Sequence, residues 1–471
     1  MKIISSLTIF LGLLTISSSA TTWLVGPAHV YTMPSQVSLL VSDGDTVAID
    51  AGVYISDVAK WTANNLLLKG VGGMAHLKAN GANYGGKAIW VIAGNNTTVD
   101  SIEFSLCSCV DQNGAGIRQE GINLTVSHCY FHDNEDGILA GDNITSDIII
   151  EHSEFYNNGF GDGYSHNLYI NHVNSLTFRY NYSHHAHIGH ELKSRAYNNY
   201  ILYNRLSNEA TGDASREMDL PNGGLAIIIG NEIEQGPNTQ NSNIIGYGLE
   251  GLSNPTSEIY LINNTIVNDK TNGSFVNIQN GTSVCKAVNN IFAGPGTIFL
   301  GNATTIDTSN NWYLSIAAAG MVDAPNFNYH LLSTCSAINN GINPGMANTF
   351  SLTPEFEYQD TAESISRVVN GQIDIGAHEF GTPSTTNSIS TENYFSVYPN
   401  PSNGIFFLEN IFSKTGNTKI EIYNPVGEII YCIVNAEQKI NIDFEIIPSG
   451  IYFLKIESGN FIATKRISIV K

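Results

Sequence analysis

The sequence predicts an all-β chain: a right-handed parallel β-helix, or solenoid, followed by a small C-terminal β-sandwich. Three observations carry that expectation. A short strand motif recurs through the middle of the chain, Gly and Asn are frequent where helical heptads are absent, and the composition changes near residue 381.

The N-terminus comes first. Lys2 precedes an apolar run from Leu7 to Ile16, and Ser17-Ser18-Ser19-Ala20 follow it. These are the basic, apolar and small-residue parts of a secretory signal peptide over residues 1–20, with the mature chain starting near Thr21. The run is well short of the ~20 residues a membrane-spanning helix needs, and no later stretch is apolar enough to cross a bilayer, so no transmembrane segment is expected. Lys and Arg number 21 against 42 Asp and Glu. That field repels phosphate backbones, which argues against nucleic acid as a partner. An anionic sugar polymer would need a local positive patch.

The six cysteines do not form a disulfide framework. Cys107 and Cys109 alternate in a strand-like run, Cys129 stands at an apolar core position, and Cys432 lies in the last domain. No zinc spacing occurs. A Cys285–Cys335 bridge stays open as an option in an oxidising compartment.

The repeat runs from about residue 99 to 292. Its instances include Val126-Ser127-His128-Cys129-Tyr130-Phe131, Phe178-Arg179-Tyr180-Asn181-Tyr182 and Ile262-Asn263-Asn264-Thr265-Ile266. The anchors Ile102, Cys129, Ser153, Asn181, Asn204, Asn231, Asn264 and Asn289 are 23 to 33 residues apart. That interval suits one coil of a β-helix, whose short strands pair with the coils above and below. Asn at the anchor tolerates a left-handed corner, and its amide can ladder with the Asn one coil away. Each inward Val, Ile, Leu or Phe contributes on the order of 1.5 to 3 kcal/mol, while an isolated coil could not offset its own ordering entropy. A β-sandwich or propeller would instead show two-residue hairpin gaps, which are not evident.

Asp43-Gly44-Asp45-Thr46-Val47-Ala48-Ile49-Asp50-Ala51-Gly52, with Leu66-Leu67-Leu68-Lys69-Gly70 after it, resembles the first coil of pectin-lyase-like β-helices. Ile373-Asp374-Ile375-Gly376-Ala377-His378-Glu379-Phe380 resembles the phrase that closes many such bacterial domains. The β-helix is therefore expected over 21–380. Residues 381–393 are Thr/Ser-rich and read as a linker to a domain over 394–471. The blocks Phe395-Ser396-Val397-Tyr398-Pro399-Asn400-Pro401 and Pro448-Ser449-Gly450-Ile451-Tyr452-Phe453 resemble the type A sorting domain of the type IX secretion system. That resemblance implies passage across the outer membrane by the type IX machinery, then release or attachment at the cell surface. The alternative for the tail is a generic carbohydrate-binding sandwich.

Side chains in such coils alternate in and out. The strand 10 to 14 residues before each anchor then gives an outward column: Arg118 and Glu120 beside inward Ile117; Asn167 and Tyr169 beside Leu168; Glu191, Lys193 and Arg195 beside Leu192; Glu217 and Asp219 beside Met218. Six of the 13 histidines lie between His166 and His190. The bland alternative is a solvated stripe of ion pairs, worth little in stability, but the concentration is local in a charge-poor chain.

Glu191-Leu192-Lys193-Ser194, with Asn204 in its coil and Leu220-Pro221-Asn222-Gly223 in the next, resembles the family six polysaccharide lyases, which include chondroitinase B and alginate lyases. The resemblance covers about 60 residues and implies cleavage of a uronate polymer by β-elimination, with Lys193 as base and calcium on upstream carboxylates. Pro221 and Asn222 stand where that family has Arg and His. Arg216 replaces the missing Arg by spacing, although its parity with Met218 points it inward; Arg195 is an equal candidate. A proton beside a carboxylate is hardly acidic until a cation, Asn or Arg neutralises that carboxylate. His166 and His190 are alternative bases, Tyr169 a proton donor, Asn167, Arg118, Glu217, Asp219 and Arg216 substrate-binding residues, and Glu191 a candidate calcium ligand. A glycoside hydrolase would need two carboxyls about 5 to 9.5 Å apart, which Glu217 with Asp219 or Glu191 could supply. The third reading is a non-catalytic surface adhesin on a rigid rod. The expected partners are a polysaccharide and the secretion machinery, with the chain itself a monomer. The Asn-X-Thr/Ser triplets, such as Asn123-Leu124-Thr125, fit coil-corner composition better than glycan acceptors.

Overall fold

The computed structural model describes residues 20–381 and, in the C-terminal part, the strands between Phe395 and Ile469 with a few flanking residues. The expected signal peptide and linker fall outside the described residues, apart from Ala20 and Gly381. The chain divides into two compact units between Thr382 and Pro383.

The first unit is a parallel β-solenoid. A ten-stranded sheet runs along one side, built from the strands Ala59–Trp61, Ala88–Ile92, Ala115–Gln119, Asp136–Ala140, Leu168–Ile170, His190–Ser194, Arg216–Leu220, Asn243–Tyr247, Ser274–Ile278 and Thr297–Leu300. The other two strands of each coil join a continuous 21-stranded sheet. Only 3-10 helices interrupt the strands among the described residues, and no helix there is long and apolar enough to cross a membrane.

Parallel pairing leaves the interior to be filled by superposed side chains. Phe104, Phe131 and Phe155 stack with ring centroids 4.9 Å apart at each step. Each buries a full ring, and the offset stacking adds about 0.5 to 1.5 kcal/mol per pair. Beside this apolar file runs an amide ladder. Nδ2 of Asn181 donates to Oδ1 of Asn204 at 3.1 Å, and the chain continues through Asn231, Asn264, Asn290 and Asn311 at 2.8 to 2.9 Å. The same oxygens accept backbone N–H groups of the preceding coil, so each amide closes a corner that would otherwise bury unpaired polar groups.

Two details of the expected anchor change. The ladder residue near 289 is Asn290, while Asn289 has φ +60°. The left-handed corner is in fact the residue before the ladder position, as at Tyr180, Tyr203, Asn263 and Asn289. Cys285 and Cys335 are both free and buried, so the bridge left open from the sequence does not form.

The Ile373–Phe380 phrase folds back against the coils. Asn263 Nδ2 donates to Asp374 O at 2.7 Å, and buried Arg367 pairs with Glu379 at 2.9 Å. The second unit holds a three-stranded and a four-stranded antiparallel sheet whose inner faces, from Val397 to Ile469, share one apolar core.

Candidate active site

Each strand of the ten-stranded sheet opens at a corner, and the corner breaks simple alternation. Two consecutive residues turn inward there: Ile89 and Trp90, Glu191 and Leu192, Glu217 and Met218, Ile244 and Ile245, Phe275 and Val276 are all buried in the solenoid. Alternation resumes only after the second of them. The residue before the pair and the residue after it both face outward.

Several expected site residues move as a consequence. Asn167, Glu191 and Glu217 are interior, not on the outward column. Asn167 Oδ1 accepts from the backbone N–H and Nδ2 of Asn158 at 3.1 and 2.9 Å, and its Nδ2 donates to Glu191 Oε2 at 2.5 Å. Glu191 also accepts from Ser183 Oγ at 3.0 Å and from the Ala186 N–H at 2.9 Å. Its oxygens are thus committed to protein donors, and it does not fit as a ligand for calcium, which takes six to eight oxygens. Glu217 is fully buried, with Oε2 accepting from Asn208 Nδ2 at 2.8 Å, so it does not share the outer face of Asp219. Burial pushes the Glu191 carboxyl up to about 8 and that of the neighbouring interior Glu234 to about 7. Glu217 is likewise held well above the usual carboxylate range, first by burial and then by the neighbouring Glu191 and Glu234.

Outside, the structure gathers the remaining candidates. Register superposes Arg118, Leu139, Tyr169, Lys193, Asp219 and Gly246 in one column. His190 pairs with Arg216 in a second column at the strand openings. Arg216 therefore faces out, against its expected parity, and its Nη1 donates to Asp219 Oδ1 at 2.8 Å. Asp219 Oδ2 lies 3.5 Å from His190 Nε2 and 3.7 Å from Lys193 Nζ. Arg195, just past its strand, donates from Nε to the Tyr169 hydroxyl oxygen at 2.9 Å and from Nη1 to Asn222 Oδ1. Arg118 stands two coils from Tyr169, its buried Nε without a partner.

His166 and His190 stack with centroids 4.8 Å apart, 7° from parallel. The His190 backbone N–H donates to His166 Nδ1 at 3.1 Å, which places the His166 proton on Nε2. Burial, then the cations of Lys193 and Arg195, hold His166 well below the usual imidazole range; burial, then His166, Lys193 and Arg216, do the same for His190. Both rings are neutral at pH 7. The other histidines of the cluster face elsewhere: His184 pairs with Glu154 and His187 with Asp213, each at 3.1 Å.

Glu250 is the residue that sequence reasoning missed. Its exposed carboxylate bridges Arg195 Nη2 at 2.7 Å and Lys193 Nζ at 3.4 Å. It lies on a turn between Gly248 and Gly251 that is pinned by the Glu250 N–H to Pro221 O at 2.9 Å. Chemically, the cluster presents a Lys/Arg fork already holding a carboxylate, with a tyrosine hydroxyl beside it. A buried aspartate and two neutral imidazoles stand behind that fork.

Residues 396–470 match the model of the secretion system C-terminal sorting domain. This match marks the protein as secreted or held at the outer-membrane cell surface, served by the secretion machinery that reads such tails. No curated protein matches the chain in sequence. Among solved structures, a crystal structure of pectate lyase Pel9A is similar at 11% identity and a TM-score of 0.45, covering 78% of this chain and 97% of that one.

Proposed function

We propose that this is a polysaccharide lyase that cleaves a uronate-containing polymer by β-elimination at the Lys193–Arg195 cluster. The observation that carries the reading is the Glu250 carboxylate seated across Lys193 and Arg195. In a chain of net charge −21, four cations, Arg118, Lys193, Arg195 and Arg216, converge on one face, and Lys193 and Arg195 together already grip the Glu250 carboxylate. A substrate uronate would displace Glu250 and take its place.

The residues then have definite tasks. Arg195, with Arg118 toward the neighbouring subsite, withdraws charge from the uronate carboxylate and so acidifies the adjacent C–H. Lys193 Nζ, having given up its own proton as Glu250 leaves, takes the C–H proton in its neutral form, with neutral His190 as the alternative base. The Tyr169 hydroxyl accepts from Arg195 and keeps its own proton, which it gives to the departing glycosidic oxygen. Asp219, fixed by Arg216, positions Lys193 from below. No step requires Glu191, and none is routed through calcium.

A second reading has its own support. Lys193 lies between two carboxylates, Asp219 and Glu250, a setting that suits an ion-paired recognition face which binds without cleaving. Polyuronates and neutral glycans incubated with the full chain, with and without chelator, separate the readings. Elimination gives an unsaturated product absorbing at roughly 235 nm; hydrolysis gives reducing ends without it. Retention on a polyuronate column with neither product would replace the lyase with an adhesin.

A further inference from the structure

We propose that His76, Glu103 and His132 form a binding site for a divalent transition-metal cation of the zinc class, on the 21-stranded sheet and apart from the candidate active site. The three side chains come from successive coils, on the strands Leu67–Lys78, Ile102–Ser105 and Tyr130–His132. His76 pairs directly with Glu103, and His132 pairs with Ser105, which sets it on the diagonal. Glu103 Oε1 lies 3.2 Å from His76 Nδ1 and 3.1 Å from His132 Nε2. A tetrahedral cation bonded at about 2.0 to 2.1 Å holds its ligand atoms roughly 3.3 Å apart, which the two Glu103 distances already match, and all three ligand atoms lie within 4.8 Å of one another.

The other ring nitrogens are already occupied. His132 Nδ1 lies 2.7 Å from Asp133 Oδ2, and His76 Nε2 lies 2.7 Å from Ser105 Oγ. Carboxylate or hydroxyl partners of this kind orient histidine ligands and raise their basicity. In the tautomer in which those two nitrogens donate outward, the remaining lone pairs of both rings point at the Glu103 oxygen, the arrangement a metal ligand set needs. A cation at their centre completes that arrangement. The Tyr130 ring stacks on His132 at 4.4 Å and restricts its rotation. The three side chains are 17 to 24% exposed, which leaves an open position for water. Two imidazoles and one carboxylate favour zinc, cobalt or nickel over calcium.

A second cluster, His330, Glu357 and His378, differs in burial: His378 is 1% and Glu357 0% exposed, which leaves no open position for water. Both nitrogens of buried His378 are engaged, with Glu232 and with Glu357 at 3.3 Å, which makes it an ion-pair latch under the closing segment.

The test is titration of the chelator-stripped full chain with zinc and cobalt chloride by calorimetry and visible absorption. One tight site with a tetrahedral cobalt spectrum and a raised melting temperature is expected. Glu103→Gln and His132→Ala should each abolish it, Asp133→Asn should weaken it about 10- to 100-fold, and His330→Ala should leave it intact. Glu103→Gln keeps the side-chain shape, so it decides the matter even where His132→Ala fails to fold. The proposal is overturned if stripped protein takes up no metal, or if both variants bind with wild-type stoichiometry and affinity.

Discussion

Arg195 and Asp219 are the residues on which the site turns, because each ties three others into place. Asp219 depends on the bare backbone of Gly246 in the next coil. A methyl group there would stand 2.9 Å from Asp219 Oδ1 and 3.3 Å from Arg216 Nη1. Gly246→Ala should therefore push the Arg216–Asp219 pair apart and lower kcat by about tenfold while leaving the far-UV spectrum unchanged; an unaltered kcat would show that the pair does not position Lys193. At this scale the sequence was readable where alternation holds. Tyr169, Lys193, Arg195 and Asp219 follow from inward Leu168, Leu192 and Met218, and the structure places all four on one outer face. Asn167, Glu191 and Glu217 were misplaced because the corner sets two successive residues inward, and nothing in the local pattern of polar and apolar residues marks it. Glu250 was not readable at all: it lies 57 residues from Lys193, on a turn that repeat counting passes over.

The elements that carry these residues are a ladder and a turn. Asn231 accepts from the Asn204 N–H and Nδ2 and donates to Asn264, so Asn231→Ala removes those three buried hydrogen bonds and leaves the Asn204 N–H without its partner. That orphaned buried donor should cost about 1 to 3 kcal/mol, whereas exposed Asn174→Ala should stay within about 0.5 kcal/mol. Denaturant unfolding of the two variants checks this, and equal losses would mean that the ladder does not hold the coils. The ladder was legible as a recurring Asn, but the Asn289-Asn290 doublet hid which member bears it: one takes the left-handed corner and the next the ladder bond. The Gly248–Gly251 turn makes a separate prediction. If Glu250 only fills the place of a uronate, Glu250→Gln should lower KM for a polyuronate severalfold with kcat nearly unchanged. A collapse of kcat would instead make Glu250 part of the chemistry.

Across the whole molecule, stacking coils brings residues distant along the chain into one working face and forces a file of acids into the interior. Glu191 and Glu234 sit at about 8 and 7, and His378, despite its burial, is raised to about 9 by Glu232 and Glu357. All three bind protons more tightly folded than unfolded, so the stability they contribute is lost as pH rises through those values. Melting temperature should fall as pH rises from about 4.5 to 9, the carboxyls acting up to about 8 and His378 from 6.5 to about 9, and Glu191→Gln should flatten the slope below about pH 8; a rising curve would contradict the assignment. The parallel β-solenoid and the secretion tail were legible because repeats and ordered motif blocks survive without knowledge of contacts, while the chemistry depends on which faces meet. That chemistry is tested most directly by the absorbance at roughly 235 nm released from a polyuronate by the wild-type chain and by Lys193→Ala. The account predicts a growing band with the wild type and a rate lower by roughly 10² to 10⁴ in the variant. An equal rate in the variant, or new reducing ends without the band, would contradict it.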